Sequence, residues 1–404
     1  MIYSIFPTKD TTLFENSSSM NAGIDEILEI SKLISHSAQP TANKVYNSRV
    51  LMQFDMAAVS RSISDGIIGK TDLSFYLNMY ISEASDIPYS YGLEARPISQ
   101  SWEMGIGRNN HYPQTTEGTS WKYRDGEVAK NVWATSSWAA NSSGSWSTGS
   151  TNYATTIGNE MGAGSSGEAV TTGGGGTWHT TGSDDYYASQ IFEYESADVR
   201  MNITKMAKHW MGINPANFSA SAKLDNHGII IKRSGSEERD SSVRGSLKFF
   251  SRDTHTIYSP KLEICWKDVS FDAGSLDALD VDNKDIILYM KGNKKSYKEN
   301  SRTRFKVYGR EKYPPKTYAT KSANLTVKYL PSSSYYCVKD AHTDETVIPF
   351  SVPYTAISCN SDGNYFDLYM DGLQPERYYR FVYKIVSGTR IEYYDNDYLF
   401  KVVR

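Results

Sequence analysis

Gly228-Ile229-Ile230-Ile231-Lys232 is too short for a stable helix and too apolar for a loop, and runs like it recur along most of the chain. Val50-Leu51-Met52-Gln53-Phe54, Leu73-Ser74-Phe75-Tyr76-Leu77-Asn78-Met79-Tyr80 and Lys261-Leu262-Glu263-Ile264-Cys265-Trp266 share the character: short, β-branched or aromatic, and bounded by turn formers. Such runs predict strands. The 30 tyrosines fit the same reading, because Tyr suits half-buried strand faces and wet interfaces better than helical cores. One helix is predicted from Asn202 to Met211, where Ile203, Met206, Ala207 and Trp210 recur at three- and four-residue spacing. Asn202 or Thr204 would cap it and Gly212 would end it; a shorter helical turn is expected from Asp55 to Val59. The chain is predicted to be all-β.

A length of 404 residues implies two or three domains. The tryptophans stop at Trp266, and Gly274, Ser275 and several aspartates follow, so the boundary falls between Lys267 and Asp285. Beyond it, seven short strands are expected, at 285–290, 303–308, 323–329, 335–339, 365–370, 378–386 and 398–403, which is the pattern of a β-sandwich. The expected layout is one β-sandwich over 1–267 with an insertion at about 103–190, a linker over 268–284, and a second sandwich over 285–404. Cys265, Cys337 and Cys359 are too few for a disulfide framework, and a Cys337–Cys359 bridge is the one pairing considered.

All eight tryptophans lie between Trp102 and Trp266. From Asn131 to Val199 there is no Lys or Arg, and Ser, Thr and Gly dominate; Trp133, Trp138, Trp146 and Trp178 are scattered through this stretch. It has no periodic apolar face, yet Trp rings are costly to leave in water. Trp121, Trp133, Trp138, Trp146 and Trp178 are therefore the candidate contact residues, for a sugar or for another protein. The competing reading is a long loop whose rings cover the fold's own edge. Gly173-Gly174-Gly175-Gly176 lacks the Lys-Ser/Thr of a phosphate-binding loop and reads as a flexible loop tip.

Several ordered pieces of the first 266 residues resemble the DNRLRE-type jelly-roll family, a group of carbohydrate-binding-like β-sandwiches. They are Thr8–Leu13, Arg49–Asp55, Leu73–Tyr80, Ser101-Trp102-Glu103, and the closing series Val199–Thr204, Trp210, Gly228–Lys232 and Ser259–Leu262. The stretch after Trp102 is several times longer than that family needs. Near the other end, Leu373-Gln374-Pro375-Glu376-Arg377-Tyr378-Tyr379 resembles the tyrosine corner of fibronectin type III and Ig-like modules. Tyr379 would bond back to the backbone and Leu373 would plug the core. The combination resembles structural proteins of tailed-phage virions, especially those of T4-like cyanophages. The resemblance implies an N-terminal jelly roll with a long Gly/Ser/Trp-rich loop insertion, followed by an Ig/fibronectin III-like sandwich.

The function expected from this is a non-enzymatic virion structural protein of the tail, baseplate or a fibre attachment. Its expected partners are other virion proteins and copies of itself in a symmetric assembly. The alternatives are a glycan-binding module for a host surface glycan, and a head decoration protein. No nucleophile elbow, zinc-binding helix or P-loop pattern is present, and Glu103, Glu117, Asp184 and Asp185 near the tryptophans specify no acid–base pair. No cofactor is expected; a structural calcium held through Asp10 and Asp55 is the one ion considered. Residues 284–328 hold thirteen Lys/Arg against three acidic residues and interleave Tyr289, Tyr297, Phe305, Tyr308, Tyr313 and Tyr318. A solvated strand face, or a dock for an acidic partner, explains that pattern better than nucleic acid, and the net charge of −3 argues against a chain-wide nucleic-acid binder. The first residues lack a signal-peptide pattern and no stretch is long and apolar enough to span a bilayer, so assembly in a host cytoplasm is expected.

Overall fold

The computed structural model describes residues 1–35, 44–109, 111–126, 128–129, 131–133, 146–148, 174–179, 186–193, 198–213, 223–239, 242–314, 318, 320 and 326–404. The chain is all-β and divides into two compact units. The N-terminal unit comprises Ile5–Ser64 and Ser74–Glu263; the C-terminal unit comprises Met1–Ser4, Asp65–Leu73 and Ile264–Arg404. The division near residue 264 lies close to the expected boundary, but the first four residues and 65–73 belong with the C-terminal unit. The expected linker is also part of that unit: Leu279 and Val281 are buried within 268–284.

After β1 (Ile2–Ile5), the N-terminal unit contains β2 (Lys9–Phe14), β3 (Ile27–Ser35), β4 (Lys44–Gln53), α1 (Met56–Ser64), β5 (Ser74–Met79), β6 (Ile81–Ser85) and β7 (Ser90–Pro97). It continues with β8 (Trp146–Thr148), β9 (Thr177–His179), β10 (Ala188–Glu193), β11 (Val199–Asn202) and α2 (Thr204–Trp210). β12 (Ile229–Arg233), α3 (Gly235–Arg239) and β13 (Gly245–Phe250) complete it, and β14 (Lys261–Cys265) spans the division at residue 264. Its large sheet runs β10-β7-β12-β4-β3-β13-β6, with β2 also on β4. β4 changes partner midway: Lys44–Asn47 pairs with β3, and Ser48–Gln53 with β2. β5 pairs with β11 in a second sheet. The strand runs read from sequence fall on β4, β5, β12 and β14; β12 and β14 are buried at every position, as short apolar runs bounded by turn formers require. α1 is longer than expected; Asp55 accepts the Ala57 and Ala58 amide protons and so caps it. α2 buries Met206, Ala207 and Trp210, as its spacing requires.

The C-terminal unit contains β15 (Asp277–Ala278), β16 (Ile286–Lys291), β17 (Ser296–Lys298), β18 (Arg302–Glu311), β19 (Lys328–Tyr329) and β20 (Ser334–Asp340). β21 (Thr346–Ile348), β22 (Ser358–Asn360), β23 (Gly363–Tyr369), β24 (Tyr378–Ser387) and β25 (Arg390–Val403) follow. One sheet has the order β15-β19-β18-β23-β22 with β16 also on β18; the other runs β17-β25-β24-β20-β21. Rings from both sheets meet in the core. Phe305 on β18 lies edge-on to Phe381 on β24 at 4.7 Å, Phe366 on β23 stacks on Tyr336 of β20 at 4.1 Å, and Phe381 stacks on Phe400 of β25 at 4.8 Å. Aromatic pairs at such spacings add about 0.5–1.5 kcal/mol each beyond their buried area. The three cysteines are free and buried, so no Cys337–Cys359 bridge forms.

Candidate functional site

Trp133 and Trp178 of the tryptophan-rich stretch are built into the fold. Leu13, Leu51 and Ile230 lie on one face of the large sheet and share a core cluster with Trp102, Trp121, Trp133 and Trp178. Trp133 and Trp178 are 0% exposed and Trp121 is 7% exposed. The Trp102 ring N–H donates to the His227 carbonyl (2.8 Å), and that of Trp133 to the Ser120 carbonyl (3.0 Å). β9 carries Trp178 into this layer, bridging to Ile98 and pairing with β8. This corrects the expectation that Trp121, Trp133 and Trp178 are contact residues: rings this buried present no face to a partner. Trp146 stands in β8, while Trp138, Asp184 and Asp185 lie outside the described residues.

Charged side chains explain why the cover is tryptophan. Arg49 and Lys232 occur inside apolar strand runs and point to this same face. Arg49 Nε donates to Glu238 Oε1 at 2.7 Å; Lys232 Nζ reaches Glu238 Oε2 and Glu94 Oε1, each at 2.6 Å; Arg96 Nε lies 3.2 Å from Glu94 Oε1. Arg49, Lys232, Glu94 and Glu238 are all buried. The Arg49 guanidinium lies 4.6 Å from the Trp121 ring centre and 5.2 Å from that of Trp178, and Lys232 Nζ lies 5.4 Å from Trp178. A ring face attracts a cation while excluding water from it. Burial alone would raise the Glu238 carboxyl, but Arg49 and Lys232 outweigh it and hold its pKa below the usual carboxylate value. Burial would likewise lower Lys232, but Glu238 and Glu94 outweigh it and raise its pKa.

Gly174, Gly175 and Gly176 of the glycine run are packed into the fold and do not form a loop tip. Gly174, Gly175 and Gly176 have φ of +111°, +79° and +87° and are buried. A Cβ on Gly175 would meet Arg49 Nη1 at 2.4 Å and the Trp121 ring at 2.8 Å. Only glycine lets the backbone pass so close to the cation, and the Gly175 carbonyl accepts from Arg49. Sequence reasoning missed Arg49, Lys232, Glu94 and Glu238; ionisable residues inside apolar strands were the available signal for the first three, while Glu238 lies on α3.

The remaining candidates separate. Glu103 is exposed and lies 3.5 Å from Lys9 Nζ, and Glu117 is exposed. Asp10 is buried on β2 and Asp55 caps α1; among the described residues, no group of three or more His, Cys, Asp or Glu could hold a metal ion. The Tyr379 hydroxyl donates to the Gln374 carbonyl at 3.0 Å, and Leu373 is buried. In the basic segment, Tyr297 and Phe305 are core residues. Its charges meet carboxylates both outside and inside it: Arg302 and Arg304 bond Asp367 at 2.7 and 2.9 Å. Lys284 and Lys328 converge on Glu311 at 3.0 Å.

One surface of the C-terminal unit is unlike a solvated strand face. On β24 and β25 the residues alternating with the core leave Tyr378 at 55%, Ile391 at 53%, Tyr393 at 61% and Leu399 at 48% exposed. Val386 lies opposite Ile391, and Lys384 opposite Tyr393, whose ring also meets Phe350 edge-on at 5.8 Å. Arg380 pairs with Asp344 and Asp395 on the same face. Arg380 stands opposite Leu399, so apolar and tyrosine residues are interspersed with charge, a mixture found on protein contact surfaces. No protein-family model, curated protein or solved structure matches the chain. Among the described residues, no helix is long and apolar enough to cross a membrane.

Proposed function

We propose that this chain is a non-enzymatic structural component of a tailed-phage virion, of the tail, baseplate or a fibre attachment, and that it works through contacts with neighbouring subunits. The carrying observation is the exposed Tyr378, Ile391, Tyr393 and Leu399 face on β24 and β25. Isolated apolar residues on a surface need no explanation, but side chains grouped on adjoining strands favour burial against a partner. Tyr and aliphatic groups on a rigid sheet lose little entropy when covered. The Ig/fibronectin III-like reading of this unit is supported by the Tyr379–Gln374 hydrogen bond, and the jelly-roll reading of the other by its ordered sequence pieces. The first occupant to test is a second copy of the chain, the next a different subunit of the same particle.

An Ile391→Glu/Tyr393→Glu double variant tests this. It is expected to fold with unchanged thermal stability yet fail to self-associate in sedimentation or to enter assembled particles. A wild-type chain that is monomeric and absent from intact particles contradicts the proposal, as does a double variant that assembles normally.

A further inference from the structure

The N-terminal unit has a cleft of roughly 270 Å³ beside the β3–β4 hairpin. That lies just below the usual size of small-molecule sites, large enough for one sugar-sized ring. Its apolar part comes from Phe14 and Met20, which form a small cluster with Ala22, and from Leu33 and Ile34, which remain 38% and 37% exposed. Tyr46 stands opposite Leu33 in the strand register and adds an aromatic wall.

The polar part is almost wholly uncharged. Asn16, Asn47, Asn109 and Gln114 each bring a donor and an acceptor on one planar amide, and Ser17 adds a hydroxyl. Among the described residues that line the cleft, Glu29 is the one carboxylate and none is Lys or Arg. An anionic ligand would therefore meet Glu29 with no counter-charge. A ligand that presents hydroxyls to amides and a carboxylate, and C–H groups to apolar walls, matches every side of it.

The walls are fixed before any ligand arrives. Ser31 Oγ and Ser48 Oγ lie 2.9 Å apart across the strands, and Ser48 also donates to the Glu29 carbonyl at 2.8 Å. The Asn47 backbone N–H donates to Glu15 Oε2 at 2.9 Å. The far wall, from the segment after Trp102, is clasped by buried Asn21. Its amide nitrogen donates to the Met104 and Thr119 carbonyls at 2.7 and 2.8 Å, and its Oδ1 accepts from Gly107 at 2.7 Å. A Cβ on Gly107 would lie 2.2 Å from the Asn21 carbonyl oxygen, so glycine is what permits this approach. The Asn109 N–H donates to Asp25 Oδ2 at 2.9 Å. Preformed walls reduce the ordering entropy lost on binding.

We propose that this cleft binds one ring of a neutral saccharide, its C–H face against Leu33 and Tyr46 and its hydroxyls on Glu29 and the Asn16, Asn109 and Gln114 amides. Calorimetric titration of the full chain with cellotriose, chitotriose and mannotriose, and with trigalacturonate as the anionic control, tests it. At least one neutral trisaccharide should bind saturably with a Kd of about 1 mM or tighter, and trigalacturonate should not bind. Glu29→Gln and the exposed Asn16→Ala should each weaken binding about fivefold, the value of one hydrogen bond, while Ile391→Glu on the other unit should not. No binding by any neutral probe at about 10 mM overturns the proposal. So does equal binding of trigalacturonate, or a Kd unmoved by both cleft variants.

Discussion

The two units use aromatic rings in opposite ways. In the C-terminal unit the rings pack on one another: Phe305, Phe366, Phe381 and Phe400 join two sheets through edge-on and stacked contacts. In the N-terminal unit Trp121 and Trp178 pack on the cation of Arg49, which with Lys232 is tied to buried Glu238. A hydrocarbon core gains free energy from area and tolerates small displacements. A buried ionic set is sensitive to the loss of any one member, because desolvation is recovered only when every charge is matched. The same class of side chain thus produces one core governed by shape and another governed by charge.

The largest effect that would break this comparison lies at Glu238. Glu238→Ala leaves Arg49 and Lys232 buried without their shared carboxylate and should cost about 3–5 kcal/mol, as much as removing a core ring. Replacing Arg49, Lys232, Glu94 and Glu238 together by Met and Leu should recover most of that loss in urea unfolding. If Glu238→Ala costs under about 1 kcal/mol, the ionic set does not hold the layer.

A second difference is pH. Asp10, buried on β2, has its pKa pushed up to about 7 by burial, opposed by the Arg252 backbone N–H at 2.7 Å and reinforced by Asp253. The folded state therefore keeps this proton while the unfolded chain, with an ordinary carboxyl, has released it. Stability from this group is full below about pH 4, falls as pH rises to about 7, and then levels, a total of about 4 kcal/mol. Asp10→Asn should flatten that fall in urea titrations across the window. An unchanged pH profile would place the buried charge of this unit elsewhere.

The strands were largely legible in the sequence. Runs such as Gly228–Lys232 and Leu73–Tyr80 carry their own boundaries, and the 202–211 helix shows its buried stripe at regular spacing. Both depend on local periodicity, which sequence displays directly. The candidate sites were not. Arg49 and Glu238 are 189 positions apart, and Trp121 and Trp178 belong to a stretch with no period, so only the fold brings them together. The absence of Lys and Arg from 131–199 suggested a sugar platform; instead, the cations that Trp178 meets come from β4 and β12. The cleft beside Tyr46 was missed because its amides come from three separate segments.

Trp178→Ala tests most directly whether the tryptophan-rich stretch is core rather than contact surface. Urea unfolding of this variant should show a loss of about 3–5 kcal/mol, the usual consequence of emptying a buried tryptophan site, with the lost ring exposing Arg49 and Lys232. A variant as stable as the wild type, failing only in partner or glycan binding, would contradict the account and return Trp178 to the surface.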